Sequence, residues 1–197
     1  MANKLVRFGL KNVHYAPETE DAFGTIGQLF GAVQMTTSPE GDSNTFYADD
    51  GAYFVTETNN GYSGTLKVAA TDDAFLTAVL GYAKDATSGL TYEATDAQPT
   101  PVALMFEIDG NVERQRVALY GVTFSRIETE NNTKADSTEP DTVSLNFNAI
   151  GKEFTIGGSK RTVVKAHCTD SEEQHDAYDN FFTKVPQPGT AATGGGE

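Results

Sequence analysis

The sequence predicts a mainly β protein: an antiparallel β-sandwich or barrel with one short flanking α-helix and a C-terminal helical segment. Three observations carry this expectation. Short aromatic and β-branched runs recur along the chain, separated by clusters of Gly, Pro, Asn and Asp. Val143, Leu145, Phe147 and Ala149 alternate with Thr142, Ser144, Asn146 and Asn148, so that strand has a core face and a wet face. Helical spacing is confined to Phe75, Ala78, Val79 and Tyr82 and to Tyr178, Phe181, Phe182 and Val185.

Taken in order, Lys4–Leu10 reads as an edge strand, and Lys11–Pro17 leads into an acidic, solvated loop with Glu18, Glu20 and Asp21. Gly31–Thr37 reads as a strand that Ser38-Pro39-Glu40-Gly41-Asp42 should break. The central unit runs from Thr45 to Tyr82. Its first strand, Thr45–Thr56, is interrupted by Ala48-Asp49-Asp50-Gly51, expected as a bulge or kinked corner. Asn60-Gly61 is the expected hairpin turn, because both residues accept positive φ. Tyr62–Ala69 returns with Leu66 and Val68 inward, and Thr71-Asp72-Asp73 caps a helix that Gly81 stops. Phe75, Val79 and Tyr82 should pack that helix on the sheet.

Ala86–Gly89 reads as a turn before a strand at Leu90–Thr95. Val102, Leu104, Phe106 and Ile108 share one face of the next strand, which returns through Val112–Phe124. An Asp109-Gly110 turn sets Glu107 opposite Val112, whereas a Gly110-Asn111 turn sets it opposite Arg114; both registers stay open. Ile127–Thr138 reads as an exposed connection. Gly157-Gly158-Ser159 joins Glu153–Ile156 to Arg161–Ala166, and Thr169-Asp170-Ser171-Glu172 has the capping-box pattern. Residues 1–186 are expected to form one domain. Residues 187–197, rich in Gly, Ala and Thr, have no apolar anchor and are expected to bury nothing.

The chain has 197 residues, with 14 Lys+Arg against 28 Asp+Glu and a formal charge of −14. That surface disfavours nucleic acid and anionic membranes as partners. The single cysteine, Cys168, excludes an internal disulfide and suits a reducing compartment. No run approaches the roughly 18 apolar residues of a membrane span, so a soluble protein without a signal peptide is expected.

Motifs for chemistry are missing: there is no phosphate-binding glycine loop, no GxSxG and no HExxH. The pairs Asp49-Asp50, Asp72-Asp73 and Glu172-Glu173 are adjacent in sequence, which does not set two acids across a cleft. His167, Cys168, Asp170 and His175 have metal-ligand side chains, but an extended His167-Cys168 points its side chains to opposite faces. Asp49-Asp50-Gly51 lacks the alternate acids and distal Glu of an EF-hand. No enzyme and no cofactor are expected.

The run Phe8–Ala16, the block Phe46-Tyr47-Ala48-Asp49-Asp50, Gly64-Thr65-Leu66, Leu80-Gly81, the paired strands around Val102–Phe124, the Thr142–Phe147 strand and the Phe181-Phe182 pair occur in one order. In that order and spacing the chain resembles the major tail proteins of long, non-contractile-tailed phages of Gram-positive hosts, over most of residues 3–186. The resemblance implies two packed sheets with one helix, assembled as hexameric rings that stack into a hollow tail tube. It implies a structural virion protein, present in the host cytoplasm during assembly. Its partners would be further copies, the tape-measure protein, and the tail terminator and distal tail proteins; DNA would pass through the lumen without specific binding. Tyr47, Ala48, Asp49 and Asp50 would sit at a subunit boundary. Ser63, Thr65, Lys67, Thr142, Ser144, Asn146 and Asn148 are candidates for the lumen wall, with an outer solvent face as the alternative. A Greek-key adhesion module and a small-ligand β-barrel are the competing classes; the chain has no Trp for an immunoglobulin core.

Overall fold

The structure is a computed structural model that describes residues 6–20, 22–110, 113–128 and 141–190. It is mainly β, antiparallel throughout, with two short helices. The strands are β1 (Arg7–Pro17), β2 (Gly27–Gln28), β3 (Ala32–Glu40), β4 (Ser43–Ala48), β5 (Gly51–Glu57), β6 (Gly61–Val68), β7 (Ala83–Lys84), β8 (Thr91–Tyr92), β9 (Val102–Gly110), β10 (Gln115–Phe124), β11 (Val143–Ala149), β12 (Lys152–Ile156), β13 (Ser159–Val163) and β14 (Lys165–Thr169). Helix α1 spans Asp73–Leu80 and α2 spans His175–Asp179.

One sheet organises the molecule, in the order β2-β1-β9-β10-β11-β6-β3. Strand β10 splits its outer edge: Gln115–Leu119 pairs with β14, and Val122–Phe124 pairs with β11. The sheet curls without closing into a barrel. Its inner face wraps a core in which Leu66, Val68, Leu104, Leu119, Leu145 and Phe147 meet α1. Phe75 lies edge-on to Tyr15 at 5.2 Å and to Phe124 at 5.5 Å. The Asp72 carboxylate caps the helix by accepting the Phe75 N–H at 2.8 Å, and Gly81 closes it with φ 74°. Phe75 and Val79 are fully buried; Tyr82 is half-buried on the same core and donates its hydroxyl to Glu93. The three expected helix-packing residues therefore pack as the spacing implies.

The middle of the sheet is buried on both faces. Ala103, Met105, Ala118 and Tyr120, the alternate residues of β9 and β10, form a second core with Phe154, Cys168, Tyr178, Phe181 and Val185. The covering layer is the β12–β13 hairpin, with α2 and the chain beyond it.

Several local expectations are corrected. Lys11–Pro17 continues the first strand, with bulges between Phe8 and Leu10 and between Lys11 and His14; Arg7–Leu10 pairs with β9 alone, as an edge does, and only His14 and Tyr15 also pair with β2. Strand β3 runs through Pro39, which an edge strand tolerates because its missing N–H faces outward. The Asp49-Asp50 pair, at φ 52° and 57°, is the hairpin turn between β4 and β5. Asn60-Gly61 is instead the passage from β5 into β6. Gly61 is needed there because a Cβ would sit 2.0 Å from the Ala149 carbonyl. Leu90–Thr95 contributes only β8.

Neither proposed register for Glu107 holds: Glu107 faces Arg116, because the β9–β10 loop exceeds two residues and the pair lies beside Lys11. Gly157-Gly158 alone forms the late hairpin turn, and the residues after Val163 form β14 on β10. The capping box is unused: Ser171 makes no side-chain cap, and the Gln174 side chain accepts from the Thr169 N–H at 2.8 Å. Glu18 is not a solvated loop residue; its carboxylate accepts the Gly121 N–H at 2.9 Å, at the bulge of β10. Of the expected loose tail, Pro188 is half-buried and Gly189 packs against the Thr155 carbonyl. Residues 191–197, and 129–140 of the expected exposed connection, lie outside the described residues.

Candidate functional site

Two surfaces and one internal clamp concentrate the unusual chemistry of the molecule. The first surface is the β4–β5 ribbon. Among the described residues it pairs only with itself, as a continuation of the β3–β6 hairpin beyond a neck at Gly41–Asp42 and Thr58–Asn60. At the neck, the Asp42 N–H donates to Thr58 Oγ1 at 2.8 Å and the Thr58 N–H donates to the Asp42 carbonyl at 3.0 Å. Every residue of β5 is exposed. Tyr47 is 70% exposed and Tyr53 73%, and Phe46, Phe54 and Val55 are exposed with them. Ordinary monomer surfaces scatter such residues singly, and a cluster marks a contact site. Asp49 and Asp50 occupy the tip, with Ala48 half-buried at the end of β4. The structure thus brings Tyr47, Ala48, Asp49 and Asp50 together at the end of a projecting arm. Sequence reasoning missed Phe46, Tyr53, Phe54 and Val55 as surface residues because their pattern matches that of a half-buried strand.

The second surface is the outer face of β3, β6 and β11. Cross-strand register sets Lys67 between Gln34 and Ser144, Thr65 between Thr36 and Asn146, and Ser63 between Ser38 and Asn148. Thr65 Oγ1 donates to Asn146 Oδ1 at 2.7 Å, and Ser63 Oγ donates to Glu40 Oε1 at 2.5 Å. Thr142 is exposed just before β11, in line with Ser144. Six of the seven predicted polar-face residues therefore share one face, opposite Leu66, Val68, Leu145 and Phe147, and Thr142 precedes the strand. Lys67 is the one cation in these three rows, and two carboxylates border them: Glu40, bonded to Ser63, and Glu128, bridged to Ser144.

The clamp holds the C-terminal segment. Glu107 is 1% exposed and accepts from Arg116 Nε at 2.9 Å, with Lys11 Nζ at 3.3 Å on its other oxygen. Burial alone would raise the Glu107 carboxyl; Arg116 and Lys11 overcome it and hold the group below the ordinary carboxylate range. The Arg116 guanidinium donates to the Tyr178 carbonyl and lies 3.8 Å from the Tyr178 ring centroid and 4.7 Å from that of Phe182. His14 stacks on Phe182 at 4.5 Å, and the Tyr120 hydroxyl donates to the Pro186 carbonyl at 2.6 Å. Beside this segment lies an apolar cleft of about 530 Å³, walled by Tyr120, Ala166, Ala177, Phe181, Val185 and Pro188.

His167 and Cys168 do point to opposite sides: His167 is exposed and Cys168 is buried in the second core, its thiol pushed up to about 11 by burial. Among the described residues no three His, Cys, Asp or Glu side chains gather as a metal site would require, and no helix is long and apolar enough to cross a membrane. No protein-family model matches the chain, and no curated protein matches its sequence.

Proposed function

We propose that this chain is a tail-tube subunit of a long, non-contractile-tailed phage, polymerising as stacked rings that form the conduit for DNA. The family resemblance suggests hexameric rings, and the tape-measure, terminator and distal tail proteins as partners. The observation that carries the reading is the β4–β5 arm, five large apolar side chains that the subunit itself leaves uncovered. A subunit destined to polymerise needs such a surface, whereas a monomeric protein would be driven to aggregate by it.

The hydroxyl- and amide-rich face of β3, β6 and β11 suits the lumen wall. Apart from Lys67 it offers phosphates no cation, so DNA would slide past without the counterion release that drives adsorption. The remaining acidic surface keeps free subunits apart by like charge, and salt screens that repulsion beyond about 10 Å at 0.1 M. Negative-stain microscopy of concentrated protein, with and without the tape-measure protein and across a salt series, tests the proposal. Rings or tubes favoured by salt are expected. Isolated particles under every condition would overturn it.

A further inference from the structure

The exposed arm has a counterpart elsewhere on the same chain. The apolar cleft beside the C-terminal segment has the size of a ligand pocket, in the range of roughly 300–1,000 Å³ typical of such sites. Its titratable lining is Tyr120, His167, Cys168 and Lys184, with no carboxylate among the described residues that form it. A second cleft on the other side of the Thr183–Gln187 stretch shares Lys184, adds His14, and likewise has no carboxylate. In a chain with twice as many acids as bases this is a local reversal of charge. Lys11, Arg114, Arg116, Arg126 and Lys160 are each paired with a carboxylate of their own subunit. Lys184 is exposed and, like Arg7, Lys67, Lys84, Lys152, Arg161 and Lys165, forms no ion pair among the described residues; of these seven it alone lines the apolar cleft.

The β4–β5 arm is complementary in both respects. It carries aromatic side chains along its length and two carboxylates, Asp49 and Asp50, at its tip. Strands of six and seven residues reach about 20 Å. In its own subunit the arm extends β3 and β6, at one edge of the sheet, while the cleft lies over β10 and β14. We propose that the arm of one copy seats its aromatic side chains in the C-terminal cleft of a second copy, with Asp49 and Asp50 meeting Lys184 at the rim. Knob and hole are different patches, so the contact is heterologous: it propagates from copy to copy and closes into a ring or runs on as a filament. This rests on the tube reading and names the acceptor site for it.

The test uses the full chain with a photo-crosslinking amino acid at position 47, irradiated where the protein associates, the adducts being mapped by mass spectrometry. Adducts between position 47 and residues 177–190 of a second copy are expected. Adducts confined to other segments, while rings or tubes are visible by microscopy, would overturn the acceptor site and leave the tube reading intact. A chain that stays monomeric at every concentration and salt would overturn both. A mixing experiment reads the same contact independently. Phe46→Ser/Phe54→Ser removes the knob and Ala177→Trp fills the hole; each alone should stay monomeric, and the two mixed should give a one-to-one dimer and nothing larger. Assembly of the Ala177→Trp protein as well as the parent would contradict the inference. Should Ala177→Trp fail to fold by circular dichroism, Lys184→Glu, an exposed site, replaces it. That charge reversal should weaken association by about tenfold, or ~1.4 kcal/mol, and unchanged association would count against the proposal.

Discussion

The β4–β5 arm and the segment Tyr178–Val185 are the two most aromatic stretches outside the central sheet, and the subunit treats them in opposite ways. Tyr178 and Phe181 are buried, Phe182 stacks between His14 and Arg116, and Arg116 is itself held by Glu107. Phe46, Tyr47, Tyr53 and Phe54 have comparable chemistry, but the one ring contact recorded on the arm is Phe46 with Tyr53 at 6.5 Å. Aromatic content therefore does not decide whether a segment belongs to the subunit core. The presence of a polar anchor does: the C-terminal segment has a cation that can hydrogen-bond its backbone and stack on its rings, and the arm has only its own neck.

The largest expected effect is on the anchored side. Arg116→Ala strips the partner from a buried carboxylate and removes the stacking on Tyr178 and Phe182, at about 3–5 kcal/mol. Urea unfolding measures this. A loss below about 1 kcal/mol, the scale of an exposed ion pair, would mean that the segment docks by its apolar face alone.

Acid should release the same clamp. The Glu107 carboxyl is depressed in the folded chain, so its contribution is fully present above its ordinary titration range and is lost as pH falls through the lower, folded value. Tyrosine fluorescence or hydrogen exchange of residues 175–185 should therefore change below the usual carboxylate range. A midpoint above the ordinary carboxylate range would show that Glu107 does not control the release.

The smallest expected effect belongs to the arm. Phe46→Ser/Phe54→Ser should alter subunit stability by no more than about 0.5 kcal/mol, as for other exposed positions, while abolishing association. Marked destabilisation would show that the arm is folded against its own subunit after all.

Much of this was legible in the residues. The alternation of Thr142–Ala149 identifies both faces of β11, and Asp72, Phe75, Val79 and Gly81 define α1, because local periodicity and capping chemistry act within a few residues. The turn assignments failed because Asp-Asp and Asn-Gly both tolerate positive φ, and the glycine of Asn60-Gly61 serves instead a close approach to the Ala149 carbonyl, far away in sequence. The exposure of the arm was hidden for a related reason. A strand that will be covered by another molecule carries the same aromatic pattern as one covered by its own sheet. The clamp was half legible: one of the two open registers set Glu107 opposite a cation, Arg114, and the longer loop sets it opposite Arg116 instead.

The central claim is that the arm finds its partner only outside its own subunit. Hydrogen exchange of the β4–β5 amides, compared between dispersed and assembled protein, tests it most directly. The arm should exchange quickly in the dispersed subunit and become strongly protected on assembly, while residues 178–185 stay protected in both states. An arm whose exchange is the same in subunit and assembly would contradict the account.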